Sequence, residues 1–135
     1  MKNSRRFGFV VGLVCAALLS GCAFDLNHVK FDAAQLDSGL SETRSFTLEK
    51  EVALKDLPCG YNRTLKKDRK WTLVGRIKQG EVFKPIQHSL TVECSNVFEA
   101  YLVLQEDQLC GFYLPVEKGF VNMGKPIKLP IKPTK

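Results

Sequence analysis

The stretch that decides the fold is EAYLVLQEDQLCGFYLP, which occupies residues 99–115. Its two arms are rich in Tyr, Phe, Leu and Val, and they flank the polar triplet 106–108. Aromatic and β-branched residues favour strands, and a short polar segment between two such runs predicts a hairpin in which Leu104 faces Leu109. Because nearly every position of both arms is apolar, we expect these strands to be covered on both faces or to seal a barrel.

Alternating polar and apolar residues extend the strand pattern on both sides of this hairpin. Further strands are predicted over residues 46–52, 71–78, 81–84, 89–95 and 119–122, with Trp71, Leu73, Gly75 and Ile77 on one face of the second and Pro85 ending the third. The prolines of residues 125–133 cannot donate to a ladder, so this segment is predicted to be an edge strand or an extended tail. Six or seven short strands predict an all-β fold, a small antiparallel β-sandwich or a partly open barrel.

The N-terminus has the organisation of an export signal. Lys2, Arg5 and Arg6 precede an uncharged apolar run over residues 7–19, which is shorter than the 20 or so residues of a membrane span. The following Leu19-Ser20-Gly21-Cys22 resembles the lipobox of bacterial lipoproteins. The resemblance implies a signal peptide over residues 1–21 and lipidation, including palmitate, at Cys22, because stable anchoring takes more than one acyl chain.

The resemblance also implies how the rest of the chain is arranged. Residues 22–45 are mixed and polar, which predicts a tether that follows the lipidated Cys22 and contains a short helix over residues 31–36. Residues 46–135 are then the β-rich globular domain, long enough for one modest core. Ala23 stands where an Asp would resemble an inner-membrane retention signal, so the expected location in a Gram-negative cell is the periplasmic face of the outer membrane.

Three cysteines remain after cleavage and lipidation, and outside the cytoplasm thiols tend to pair. We expect the strand before the hairpin to fold back with Leu90 opposite Val103. This register separates Cys94 from Cys110 by two strands and about four residues, which is too far for a disulfide. Cys59 should therefore be one partner, and we favour a Cys59–Cys94 pair with Cys110 free and buried.

The sequence contains no recognisable catalytic constellation. The two histidines are far apart, and His88 and its neighbour Ser89 should point to opposite faces of a strand. The carboxylates Glu106 and Asp107 sit at a hairpin tip, where solvated turn residues are usual. No CxxC motif occurs, so we expect no metal site, no cofactor and no enzymatic activity.

One basic segment stands out, directly before the single tryptophan, Trp71. Its cations are Arg63, Lys66, Lys67, Arg69 and Lys70. The segment is either a solvated loop or an anion-binding patch for lipid headgroups, lipopolysaccharide phosphates or an acidic protein. The formal net charge of +6 falls to +3 when the signal's three cations leave, and export excludes nucleic acid as a routine partner.

These observations predict a non-enzymatic binding or accessory module of the cell envelope, held on a membrane by its lipid anchor. Its partner would be an envelope protein or another anionic envelope component. The alternative is a small periplasmic enzyme inhibitor, since lysozyme-inhibitor lipoproteins are similar in size, all-β and disulfide-bonded. A net basic domain is, however, electrostatically a poor partner for strongly basic lysozymes.

Overall fold

The computed structural model describes residues 28–135, so the predicted signal peptide and Cys22 lie outside the described residues. These residues form twelve antiparallel strands and one three-residue 3-10 turn at Pro58–Gly60, with no α-helix among them. The strands are β1 (Asp32–Ala33), β2 (Ser45–Leu48), β3 (Val52–Leu54), β4 (Arg63–Leu65), β5 (Lys70–Ile77), β6 (Gly80–Ile86), β7 (Thr91–Glu93), β8 (Val97–Glu99), β9 (Tyr101–Gln105), β10 (Gln108–Leu114), β11 (Gly119–Lys128) and β12 (Ile131–Thr134). The all-β prediction is therefore confirmed for this part of the chain.

Eight of the strands form one open sheet in the order β1-β11-β10-β9-β6-β5-β2-β12. The other four form two separate hairpins, β3–β4 and β7–β8. As predicted, Leu104 pairs with Leu109 at the end of the β9–β10 hairpin. The proline-bearing β12 lies at one edge of the sheet, which confirms the edge position expected for the C-terminus.

The covalent connection between β11 and β12 requires the sheet to curl. These strands stand six places apart in the sheet, about 29 Å if the sheet were flat. Only Leu129 and Pro130 separate Lys128 from Ile131, and three residue steps span at most about 11 Å. Leu129 is itself buried in the larger apolar cluster, so the sheet curls around that cluster.

Apolar side chains form two clusters, one on each face of the sheet. The larger cluster lies inside the curl, and the two small hairpins cover it with residues such as Leu54, Leu65 and Val92. The smaller cluster on the outer face contains Val103 and Tyr113. Strands β9 and β10 contribute to both clusters, so the prediction that this hairpin is covered on both faces is confirmed.

Two β-bulges change which face a strand presents. In β5 the register shifts between Leu73 and Gly75, so Trp71 and Leu73 pack in the larger cluster while Ile77 packs in the smaller one. The prediction of a single face for Trp71, Leu73, Gly75 and Ile77 is therefore wrong. A matching shift in β10 falls between Leu109 and Gly111.

Other differences from the predicted strands have local causes. The strand expected over residues 46–52 is divided into β2 and β3, because the chain bends at residues 49 and 50 and leaves the main sheet. Pro85 lies within β6 rather than ending it, paired with Trp71 of β5. The other neighbour, β9, pairs with β6 only as far as Phe83, so no donor is required of Pro85 on that side.

The part of the predicted tether that the structure describes contacts the sheet. Strand β1 pairs with β11, and Asp37 exchanges two backbone hydrogen bonds of 2.8 and 2.9 Å with Arg76. Leu36 packs against the smaller cluster. Residues 31–36 contain β1 rather than the expected short helix, because their backbone groups are used in pairing with the sheet.

Candidate anion-binding site

The basic segment contains all of β4, the connection to β5 and the first residue of β5. The chain reverses at Lys67 and Asp68, where Asp68 has a positive φ of 64° that aspartate tolerates better than most residues. The exposed cations of this connection are Lys66, Lys67, Arg69 and Lys70, which we call the basic surface. None of the four forms an ion pair within residues 28–135.

Arg63 has a different environment from the other four cations. Its guanidinium donates to the backbone carbonyl oxygen of Thr91 at 3.1 Å and forms an ion pair of 2.6 Å with Glu93. The hydrogen bond and the charge of Arg63 lower the pKa of the Glu93 carboxyl. The structure therefore separates Arg63 from the basic surface and uses it to join β4 to β7.

A disulfide between Cys59 and Cys94 joins the same two hairpins, with Cα atoms 5.3 Å apart. This is the pairing that the sequence favoured. The expected register, with Leu90 opposite Val103, is wrong, because the strand containing Thr91 pairs with β8 in a separate hairpin and not with β9. A short reversal after Cys94, whose N–H donates to Asn96 at 2.9 Å, turns the chain before it can reach β9.

Among residues 28–135, the free thiol is that of Cys110, on the opposite face of the sheet from the disulfide. It is half-buried against the smaller cluster, and its Sγ donates to the carbonyl oxygen of Val103 at 3.2 Å. Burial raises the pKa of this thiol. Ordinary alternation places Cys110 on the outer face, because Leu109 before it packs in the larger cluster.

A cavity of about 190 Å³ opens beside the basic surface. It is lined by Thr64, Leu65, Lys66, Arg69, Trp71, His88, Ser89 and Leu90. The β5–β6 hairpin brings together the two aromatic side chains of the cavity, because Trp71 pairs with Pro85 and His88 follows Pro85 by three residues. The rings of Trp71 and His88 are nearly perpendicular, at 88°, with centroids 4.7 Å apart.

Two of the residues that line this cavity each carry a buried nitrogen with no hydrogen-bond partner among the described residues. One is the indole Nε1 of Trp71, a side chain that is 1% exposed. The other is Nε2 of His88, whose Nδ1 lies 2.9 Å from the carbonyl oxygen of Ile86. Because a carbonyl only accepts, Nδ1 carries the proton and Nε2 of the neutral ring is an acceptor. Buried polar groups are rarely left without partners, so both nitrogens mark a place for a polar ligand.

The arrangement combines one fixed donor, one acceptor and two cationic side chains around a small cavity. Such a set favours binding of a small anionic group, because Lys66 and Arg69 supply charge while Trp71 supplies direction. The sequence singled out the cations and Trp71 separately. It gave no indication that His88 would join them, since that contact depends on the strand register.

A second cavity, of about 320 Å³, lies between β2, β6 and β12 and is lined in part by Phe46, Phe83 and Ile131. Arg44 bridges its edge, paired with Glu81 and stacked over the Phe83 ring at 5.6 Å. No unpartnered buried nitrogen or oxygen is found among its lining residues. It therefore offers apolar surface without the directional polar groups of the first cavity.

Two other features are absent from residues 28–135. No three His, Cys, Asp or Glu side chains are grouped to hold a metal ion. None of the helical segments in this range is sufficiently long and apolar to cross a membrane. Comparison of the chain with known protein families, curated proteins and solved structures finds no match.

Proposed function

We propose that this chain is a lipid-anchored, non-enzymatic binding module of the bacterial envelope that contacts an anionic partner through the basic surface. Its anchor would be Cys22, and its place the periplasmic face of the outer membrane in a Gram-negative cell. We propose further that the curled open sheet is a partly open barrel and not a two-layer sandwich. The observation that carries the function is the basic surface itself, which lacks counter-charges and borders a cavity with unpartnered polar groups.

The described arginines outside the basic surface all have carboxylate partners, whereas Arg69 has none. The guanidiniums of Arg44, Arg63 and Arg76 all reach carboxylates within 4 Å, and Lys128 lies 3.7 Å from Asp107. The basic surface carries four cations in succession with only Asp68 among them, and Asp68 pairs with none of them. A Lys or Arg near an anionic surface contributes about 1 kcal/mol. Four such residues would strengthen association by about 4 kcal/mol, roughly a thousandfold.

The proposal is tested by reversing the basic surface. A variant with Lys66, Lys67, Arg69 and Lys70 changed to Glu should keep the thermal midpoint of the wild type, because exposed substitutions usually change stability by less than about 0.5 kcal/mol each. At low salt, where charge attraction is strongest, this variant should capture no partners from envelope extract. Capture by the wild type should weaken as salt increases, because salt screens exposed charges.

A matched control separates position from total charge. The control variant changes four exposed lysines elsewhere to Glu, which gives the same change in net charge. These lysines are Lys30, Lys50, Lys55 and Lys118. This control should retain the capture profile of the wild type at each salt concentration. If both variants lose capture equally, net charge alone is responsible; if neither loses it, the basic surface is solvated and the proposal fails.

A further inference from the structure

We infer that the cavity lined by Trp71 and His88 binds a phosphate group that carries at least one proton. The inference rests on the proposed function, because the same basic surface supplies the charge, and it names the chemistry of the ligand. Three properties of the cavity carry it. They are the fixed donor, the acceptor whose proton lies on the other ring nitrogen, and the cations at the cavity wall.

The donor is the indole N–H of Trp71. The ring is held in the larger cluster, stacked with Phe46 at a centroid distance of 6.5 Å and 1% exposed. Because an indole N–H can only donate, its partner must be an acceptor such as an anionic oxygen. A rigid buried donor is already oriented, so a ligand that accepts from it loses little additional conformational freedom of the protein.

The acceptor distinguishes phosphate from other small anions. With Nδ1 of His88 donating to Ile86, Nε2 of the neutral ring can be satisfied only by a ligand that donates. Carboxylate and sulfate present acceptors alone. Inorganic phosphate near neutral pH has both anionic oxygens and at least one O–H, so one group can accept from Trp71 and donate to His88.

Size and charge agree with this choice. A cavity of about 190 Å³ has room for several water molecules, hence for one phosphate group, but not for an extended polyanion. Lys66 and Arg69 line it and have no ion-pair partner within residues 28–135. A phosphate bound here would therefore make charge-assisted hydrogen bonds as well as the two directed ones.

The test uses the full chain in detergent, with Trp71, the only tryptophan, as the reporter. Its single indole N–H resonance should shift saturably when inorganic phosphate is added at constant ionic strength. Sulfate and acetate should bind at least tenfold more weakly, because each leaves Nε2 of His88 unsatisfied. An indole resonance that does not move with phosphate, or that moves equally with sulfate, would overturn the inference.

Two substitutions of His88 isolate the acceptor. His88→Asn can keep the hydrogen bond to Ile86 but removes the ring position of Nε2, and should weaken phosphate binding about tenfold. His88→Gln, whose amide oxygen reaches further, should restore much of the affinity. Equal phosphate affinity in wild type and His88→Asn would contradict the role of Nε2, and thermal midpoints show that both variants are folded.

The source of the phosphate is resolved by comparing two further probes. Vesicles of phosphatidylcholine containing phosphatidic acid test a lipid headgroup, and glycerol phosphate tests a soluble ester, both at about pH 6, where roughly half of a phosphate monoester keeps its proton. Binding of either that is weakened by His88→Asn supports the inference and identifies the source. A wild type that captures partners in a salt-sensitive way but binds no phosphate would reject the phosphate site alone. Failure of capture in the wild type would reject the proposed function instead.

Discussion

Removing the disulfide should destabilise the fold far more than altering the free thiol of Cys110. Cys59 lies in the connection of the β3–β4 hairpin, and Cys94 follows β7 at the reversal of the second hairpin. Neither hairpin belongs to the main sheet, although both cover the larger cluster. The perturbation is the double substitution Cys59→Ala with Cys94→Ala, which keeps small apolar groups against that cluster.

The magnitude follows from the length of chain that the bridge closes. The sequence separation of 35 residues corresponds to about 4 kcal/mol of loop-closure entropy removed from the unfolded state. The ion pair between Arg63 and Glu93 holds the hairpins together in the folded state, so it does not replace that entropic term. For a domain of this size, a loss of about 4 kcal/mol lowers the thermal midpoint by roughly 15 °C.

Urea denaturation followed by Trp71 fluorescence measures this loss. The control is Cys110→Ser, which alters the free thiol and should shift the free energy of unfolding far less. Reductant should move the wild type to the midpoint of the double variant and leave the variant unchanged. A loss below about 1 kcal/mol, or a variant that still responds to reductant, would refute the reasoning.

Three further outcomes are expected. Gly111→Ala should lower the free energy of unfolding by about 1–3 kcal/mol, because a Cβ there would meet the backbone oxygen of Val121 and, at 2.6 and 2.7 Å, ring carbons of Phe120. Gly39→Ala should be nearly neutral in the same denaturation assay. Because the pKa of Glu93 is lowered, its carboxylate stabilises the fold above the usual pKa of a carboxyl, and this stabilisation is lost as the pH falls through the lowered value. The stability difference between wild type and Glu93→Gln should therefore shrink on acidification. Cys22→Ser should abolish labelling with palmitate, and label that persists would exclude Cys22 as the lipidated residue.

The β9–β10 hairpin was predictable because its signal is local and redundant. Residues 101–104 and 109–114 are apolar or aromatic throughout, and the polar residues between them mark the reversal, so small errors of register do not change the interpretation. The β-bulges were not predictable, since Val74 and Cys110 differ little in composition from ordinary strand residues. Each bulge transfers the following residues to the other face, which the period of two cannot reveal.

The candidate site was predictable only in its charge. Composition identifies the basic surface, but the partner of Arg63 lies 28 residues further on, across a hairpin that the alternation did not indicate. The contact between Trp71 and His88 likewise depends on the β5–β6 register, including its bulge. Short strands such as β1 pair only two residues and leave too little pattern to recognise in a sequence.

The pairing of β12 with β2 also determines when the fold can be completed. Chains are synthesised from the N-terminus, so β2 exists for most of synthesis without the strand that covers its outer edge. Phe46 and Leu48 pair with Pro133 and Ile131 of β12, which are synthesised long after them. Until those residues are available, β2 exposes unpaired backbone groups beside buried apolar side chains, a template for pairing with other chains. Strand β12 thus controls how long the nascent protein is open to misassembly, and deletion of β12 would make that state permanent.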